Sequence, residues 1–569
     1  MATRTQRLTA RSEFRFELEP GERISLRLVP DSGDAEVFGA ELVPGKERWY
    51  AFGDEAKAAI STWAGCELEI AGRASTEYVP DDPSPTYTSY ANVHLHLEGA
   101  RLRARAALRA QPDLIRSQAS AALAAPTQPG EGGALPINGD AETQLYSAVG
   151  QGPRVLVVGP ESAGKSSLVK LLANYALRSP AVCSTGLEEE GKEKDSKSAE
   201  ESEVTGWWPT VVNLDPSAGA PPLPCTLSLL PLSPMPSAAL PSCSPAFPFG
   251  TTAPTTGASA PGPGAAHGVA PLTLWLGKED VRANETHSMR VVEWLGAALE
   301  KRLARDPRAR MSGIIVDTQG VTSADGRGRY AFLQHCIRTL KIDTIIVLGH
   351  EKLNIELSRI FPTPESGIRV LKLPKSGGVV ELDSTYKERL RALQIRSYFY
   401  GGSASASRPE GEGEASSATL PGHAEPLGGL PALSPLTTSI PFDLLEIYRV
   451  GQENMAPSSA LPIGMGRTVT ETQLVKLDPV NSAGDQAAVL HSVLALIEAP
   501  RGGGGPGQAD SAIEPPPSDD EITGATVLGF IHIGSIDATR KKMSILSPNP
   551  GRKLPSKTAL LGTLDWQDA

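Results

Sequence analysis

The sequence predicts an α/β protein with a doubly wound parallel sheet at the centre of the chain. A small antiparallel β-domain is expected before the sheet and a small α+β module after it. Three observations predict this. Residues 154–167, Arg-Val-Leu-Val-Val-Gly-Pro-Glu-Ser-Ala-Gly-Lys-Ser-Ser, join an apolar run to a helical pattern through Gly-x-x-x-x-Gly-Lys-Ser. Downstream, short apolar runs alternate with helical patterns, as the crossovers of a parallel sheet require. Upstream, between Phe14 and Gly72, apolar residues recur at every second position.

The upstream pattern runs through Ile24, Leu26 and Leu28, then Val37 and Leu42, then Cys66, Leu68 and Ile70. Turn signals at Pro20-Gly21, Asp31 to Asp34 and Pro44-Gly45 divide it. An Arg- and Ala-rich helix is expected from Leu97 to Ala110. Its basic face (Arg101, Arg105, Arg109) reads as a solvated surface in preference to an RNA contact. A Pro/Gly/Ala linker, Ala125 to Gly139, then leads to the apolar strand Val155 to Val158. That strand is continuous in Val and Leu, as burial on both faces demands. After the glycine loop, Leu168, Leu171, Leu172, Tyr175 and Ala176 recur at helical spacing.

Strand, glycine loop and helix together are a phosphate-binding loop, so the chain is expected to bind ATP or GTP. Backbone N–H groups from Glu161 to Ser166 would cradle the β-phosphate at a helix N-terminus. The nucleotide-binding run is Ser162, Ala163, Gly164, Lys165, Ser166 and Ser167, with Lys165 spanning β- and γ-phosphates and Ser166 ligating Mg²⁺. Further strands are predicted at Pro209 to Asp215, Gly313 to Asp317, Ile342 to Gly349 and Ile368 to Leu373. Helices are predicted at Val291 to Ala304, Tyr330 to Leu340 and Thr385 to Ile395. Asp317, ending an apolar strand, is the expected second Mg²⁺ ligand, and Asp215 the expected base or acceptor-orienting group. Arg391 and Arg396, beyond the Gly377-Gly378 hinge, would form a lid over the γ-phosphate. Gly349-His350-Glu351-Lys352 stands where a guanine-reading Asn-Lys-x-Asp would be, which argues against a GTPase switch.

The domains are expected at 1–110, 140–402 and 440–569. Insertions at 187–203 (Glu/Lys/Ser) and 219–271 (Pro/Ala/Ser) are expected to stay outside the fold. In the last domain, strands are expected at Leu444 to Val450, Thr526 to Ile533 and Lys541 to Leu546. At 569 residues the chain exceeds one ordinary core, and a formal charge of -11 argues against wholesale nucleic-acid binding. The five cysteines lack Cys-x-x-Cys spacing, which predicts free thiols and no zinc site. No apolar run reaches membrane-spanning length.

Leu373-Pro374-Lys375-Ser376-Gly377-Gly378-Val379-Val380-Glu381, followed by Ile395-Arg396-Ser397-Tyr398-Phe399-Tyr400-Gly401, resembles the polynucleotide 5′-hydroxyl kinase family. That family includes the ATP-binding subunit of the pre-mRNA cleavage and polyadenylation factor. Ser12 to Glu17, Ser61 to Cys66, Phe249 to Thr252 (a substrate-clasp form), Leu461 to Met465 and Leu546 to Pro548 resemble it in order. The resemblance implies an N-terminal β-sandwich, a central P-loop kinase-like domain and a C-terminal α/β domain. It implies that Glu13 and Lys57 reach the adenine side of ATP and that Arg391 and Arg396 are the lid arginines. It also implies a nuclear protein of mRNA 3′-end processing that docks the factor's scaffold subunit on its central domain. Active members carry Asp-x-Gly-Gln where this chain has Asp215-Pro216-Ser217-Ala218. The expected function is therefore an ATP-binding, catalytically inactive subunit required for endonucleolytic cleavage. The alternative is an RNA 5′-hydroxyl kinase with Asp215 as base and Lys165, Arg391 and Arg396 on the transferred phosphate.

Overall fold

The computed structural model describes residues 3–45, 49–53, 56–81, 85–111, 120, 150–180, 206–234, 271–363, 365–400, 425–426, 435–449, 474–498, 518–548 and 554–567. The expected linker at 125–139, the insertion at 187–203, the clasp-like Phe249 to Thr252 and the segment Leu461 to Met465 lie outside the described residues.

The period-two pattern folds as two five-stranded sheets. One is ordered Thr3–Leu8, Cys66–Gly72, Ile24–Leu28, Tyr50–Phe52, with the two-residue strand Glu425–Pro426 added in parallel to Tyr50–Phe52. The other is ordered Ala40–Glu41, Glu36–Val37, Lys57–Ser61, Glu13–Glu17, Thr76–Tyr78. Phe14, Phe16, Leu26, Ile60, Leu68 and Ile70 are buried in the core of this sandwich. The Phe16 and Phe52 rings, one from each sheet, meet edge to face at 5.0 Å. Each such buried side chain contributes roughly 2–3 kcal/mol.

The helix that follows is longer than its predicted span. It runs Pro85–Ala110, and its buried face is Tyr90, Val93, Leu97, Ala104 and Leu108. Residues 85–96 are rich in Thr, Ser, Asn, Tyr and His, poor helix formers, so the sequence pattern starts late. Packing overrides that preference: Tyr90, Val93 and Leu97 share a core with the P-loop helix Lys165–Leu177. This helix therefore covers a face of the central sheet, and the solvated face expected of Arg101 is a correction. Arg101 is fully buried and donates from Nε to the Ser312 carbonyl at 3.0 Å.

The central sheet has seven strands in the order Leu272–Trp275, Thr226–Pro231, Thr210–Leu214, Ile314–Thr318, Arg154–Val158, Thr344–Leu348, Arg369–Leu373. The last five are mutually parallel and the first two antiparallel. Alternate residues of the P-loop strand feed two cores. Val155 and Val157 face the P-loop helix, while Leu156 and Val158 face a core shared with the helices Glu285–Arg305 and Ala331–Thr339. Burial on both faces explains the unbroken apolar run.

The insertion expected from 219 begins too early. Residues 219–234 are part of the fold, and Thr226–Pro231 is a buried strand of the sheet. Its Pro-rich flanks read as low complexity, yet Leu227, Leu229 and Leu230 are buried and the Ser228 hydroxyl donates to the Pro221 carbonyl at 2.7 Å.

The C-terminal part is a seven-stranded sheet, ordered Leu436–Pro441, Lys542–Ser547, Val527–Asp537, Val493–Ile497, Thr558–Leu561, Glu446–Arg449, Val475–Lys476. The helix Ser384–Tyr400 joins it to the central domain: Ile395, Tyr398 and Phe399 share one core with Trp275, Phe530 and Trp566. No helix among the described residues is long and apolar enough to cross a membrane.

Candidate functional site

Between the N-terminal sandwich and the central sheet lies a cavity of about 380 Å³. One wall is the P-loop, Glu161 to Ser167. This loop starts at the C-terminal end of the central strand Arg154–Val158, where a parallel sheet places its ligands. The opposite wall comes from the sandwich, including Glu13, Arg15, Glu17 and Lys57. Asp215, Ser217, Ala218, Gly219 and Ala220 close one end, and Asp317 lies at the floor.

The P-loop helix begins at Lys165 with Gly164 as its N-cap at φ 89°, without a side-chain cap. A left-handed φ suits glycine, and a Cβ there would also meet Val379 Cγ2 at 2.8 Å. First-turn amides left uncapped are the donors an anion needs. Lys165 is 7% exposed and donates from Nζ to the Pro160 carbonyl at 2.9 Å. Burial lowers its pKa, opposed by Asp317, Asp215 and Glu161. The ammonium is thus held on its own loop's carbonyl, in the field of three carboxylates.

Asp317 is buried, and burial raises its pKa to about 6, while a hydrogen bond from Ser166 pulls it down and Asp215 pushes it further up. Its Oδ1 has no hydrogen-bond partner. A buried, unpartnered carboxylate oxygen next to a serine hydroxyl is a hard-oxygen pair suited to Mg²⁺, a cation that keeps waters and phosphate oxygens as its remaining ligands. Asp215 follows the strand Thr210–Leu214, and its Oδ1 accepts from the Ser217 amide at 3.1 Å.

On the sandwich side, the Arg15 guanidinium donates from Nε to Glu13 at 2.8 Å and lies over the Tyr78 ring. Lys57 pairs with Glu17 at 2.9 Å, and its ammonium lies 5.0 Å from the centre of the Tyr386 ring on the Ser384–Tyr400 helix. Gly378 approaches so closely that a Cβ would meet Arg15 Nε at 2.9 Å. The Gly377-Gly378 segment is therefore seated against the sandwich. Behind the P-loop, the buried Glu36 carboxylate accepts the Tyr87 hydroxyl at 2.5 Å and the Tyr175 hydroxyl at 2.6 Å. Tyr175 lies on the P-loop helix, so this bond and the donation from Asn174 to the Phe38 carbonyl at 2.9 Å tie that helix to the sandwich.

The predicted residues Glu13, Lys57, Ser162, Ala163, Gly164, Lys165, Ser166, Ser167, Asp215 and Asp317 all line the one cavity. Arg391 and Arg396 do not. Arg391 is turned to Glu279, and Arg396 is exposed. The cation this helix presents to the cavity is Lys387, paired with Glu161 of the P-loop. Lys387 stands four residues before Arg391 on the same helical stripe, a spacing from which it was legible. Arg15, Glu36 and Arg282 also line the cavity and were not anticipated. Arg282 donates to the Gly320 carbonyl at 2.9 Å, and no sequence signal marks it.

Three family models match the chain in succession. Residues 7–104 match the N-terminal β-sandwich domain of polyadenylation factor, 202–401 the P-loop of mRNA cleavage and polyadenylation factor CLP1, and 433–568 the pre-mRNA cleavage complex II protein Clp1. Among similar proteins, the mRNA cleavage and polyadenylation factor CLP1 of Mycosarcoma maydis is 57% identical, over 99% of this chain and 98% of its own. That of Malassezia globosa is 48% identical, over 98% and 94%. A solved structure of wild-type Clp1p with a segment of Pcf11p superposes with a TM-score of 0.64 at 21% identity, covering 100% of this chain and 99% of that one. A second, at a TM-score of 0.63, is described as an extended interface between Pcf11p and Clp1p and the structural basis for ATP loss in a point mutant.

Proposed function

From the premise that this chain belongs to the Clp1 family of mRNA cleavage and polyadenylation factors, we propose that it is the nucleotide-binding subunit of a pre-mRNA cleavage complex. In this reading it holds ATP with Mg²⁺ as a structural ligand and acts in the nucleus in mRNA 3′-end formation. The observation that carries the reading is the convergence of Lys165, Ser166 and Asp317 with Glu13 and Lys57 in one interdomain cavity. A nucleotide there touches both domains at once, so it stabilises their docked arrangement by about 4 kcal/mol at a thousandfold excess over its dissociation constant.

Lys165 and the first-turn amides would hold the phosphates, and Ser166 and Asp317 the Mg²⁺. Glu13 and Lys57 would reach the adenine end. The bound cation would supply charge neutralisation on the phosphates, and Asp317 Oδ1, unpartnered in the buried site, would help to hold that cation. The reading without turnover is supported by two features. The acceptor-side segment is Asp215-Pro216-Ser217-Ala218, and neither Arg391 nor Arg396 lines the cavity. Phosphoryl transfer depends on positioned positive charge and an aligned acceptor. The solved Clp1p is in complex with Pcf11p, and the counterpart proposed here is a scaffold subunit, placed on the central domain as the family resemblance implies.

One observation favours the second reading, an RNA 5′-hydroxyl kinase: Asp215 does line the cavity beside Lys165. A single experiment separates the two. Purified chain is analysed for nucleotide content and then offered labelled ATP with a 5′-hydroxyl RNA oligonucleotide under single-turnover conditions. ATP retained without transfer is the expected result. Transfer that vanishes in Lys165→Ala establishes the kinase.

A further inference from the structure

Gln394 is fully buried on the Ser384–Tyr400 helix. Its side-chain oxygen accepts from the Gly219 amide at 3.1 Å, and its side-chain nitrogen donates to the carbonyls of Ala220 at 2.6 Å and Pro222 at 3.2 Å. An amide side chain has two donors and one acceptor oxygen, so both donors and the oxygen are engaged. The orientation follows from chemistry, since the Gly219 N–H must face oxygen.

Gly219 and Ala220 belong to the wall of the cavity beside Asp215. The same helix sends Lys387 and Leu390 into the cavity, and Lys387 pairs with Glu161 of the P-loop. One helix therefore grips the phosphate loop near its start and the acceptor-side wall two turns later. Past Gln394 it is anchored in the C-terminal core through Ile395, Tyr398 and Phe399.

We propose that Gln394 is a positioning residue that makes the acceptor-side wall and the lid helix a single moving body. When the helix lies over the phosphates, segment 217–222 is drawn in with it, and the bound nucleotide is retained by occlusion on both sides. Without the three bonds the wall would carry an unpartnered buried N–H and two unpartnered carbonyls, a state that favours its opening. This inference rests on the nucleotide site proposed above.

The test is the dissociation rate of radiolabelled ATP with Mg²⁺, chased with unlabelled ATP, from the full-length chain. Gln394→Met keeps the length and removes every hydrogen bond, and should release ATP about tenfold to a hundredfold faster. Ile531→Val, a trimmed core residue of the C-terminal sheet outside the core that anchors this helix, serves as the control for general destabilisation and should release ATP at the wild-type rate. Should Gln394→Met fail to fold, hydrogen exchange on the wild-type chain decides. Adding ATP should protect segment 217–222 and helix 384–400 together. Wild-type release rates in Gln394→Met, equal acceleration in Ile531→Val, or protection of the helix without the wall would each overturn the coupling. A wild-type chain that binds no ATP at all overturns the proposed function itself.

Discussion

Asp317 lines the cavity as a fully buried carboxylate on the sheet. Its carboxylate is buried with one oxygen unpartnered, and ionising it without a cation costs on the order of 2–3 kcal/mol. Asp317→Asn should therefore raise the denaturation midpoint of the nucleotide-free chain while abolishing Mg²⁺-dependent ATP retention. Urea unfolding in EDTA and nucleotide content by chromatography read the two opposite effects. Lys165→Ala should strip the chain of nucleotide, and a variant that co-purifies with stoichiometric ATP would remove the P-loop assignment. Asp215→Ala should leave nucleotide content intact, because its carboxylate accepts the Ser217 amide of its own turn and is not among the groups assigned to hold the phosphates or the cation. At this scale the site was legible wherever backbone geometry dictates the residue, as in Gly164 at its left-handed φ. It was illegible where a side chain merely occurs on the correct wall, as with Arg15 and Arg282, because no local spacing reports a contact between distant segments.

The helix Pro85–Ala110 shows what element-level patterning omits. A run with Arg at 101, 103, 105 and 109 reads as a solvated basic stripe, yet the sheet beneath it takes in Arg101 whole. Burial lowers the Arg101 pKa to about 10 against the pull of Glu98, and the guanidinium is fixed on the Ser312 carbonyl. Arg101→Ala should cost about 3 kcal/mol, as expected when a buried charged hydrogen-bond network loses its donor. Arg103→Ala, on the exposed side, should stay within about 0.5 kcal/mol. Chemical denaturation of the two variants side by side decides between a structural and a solvated helix. The parallel strands, by contrast, were readable almost to the residue. A strand buried on both faces must be apolar throughout, and a Gly or Asp ends it. The strand Thr226–Pro231 escaped because the prolines around it outweighed three leucines in the composition.

For the molecule as a whole, two buried histidines should add an acid-sensitive part to stability. His94 faces Tyr175 of the P-loop helix at 5.0 Å, and His287 lies in the core of the central domain. Burial lowers both to about 4, with Arg101 adding to the effect at His94. At these two sites the unfolded chain binds protons between pH about 6.5 and about 4 that the folded chain refuses, so their contribution to stability is full above that window and lost as pH falls through it. Asp317, raised to about 6, works in the opposite direction below that pH. The loss should approach roughly 2–3 kcal/mol per histidine, and His287→Met should remove its share of the slope in urea midpoints measured at pH 7.5 and 4.5. The three-part architecture was readable because each part has its own periodicity. What no periodicity reports is that the parts share one cavity, whose walls run from Glu13 to Leu390. That span has a consequence for biosynthesis. A nascent chain cannot form the pocket until the helix ending at Tyr400 has left the ribosome, long after the P-loop itself has emerged. Nucleotide capture is then a late event, a molecular receipt that the sandwich, the sheet and the joining helix have all folded and met.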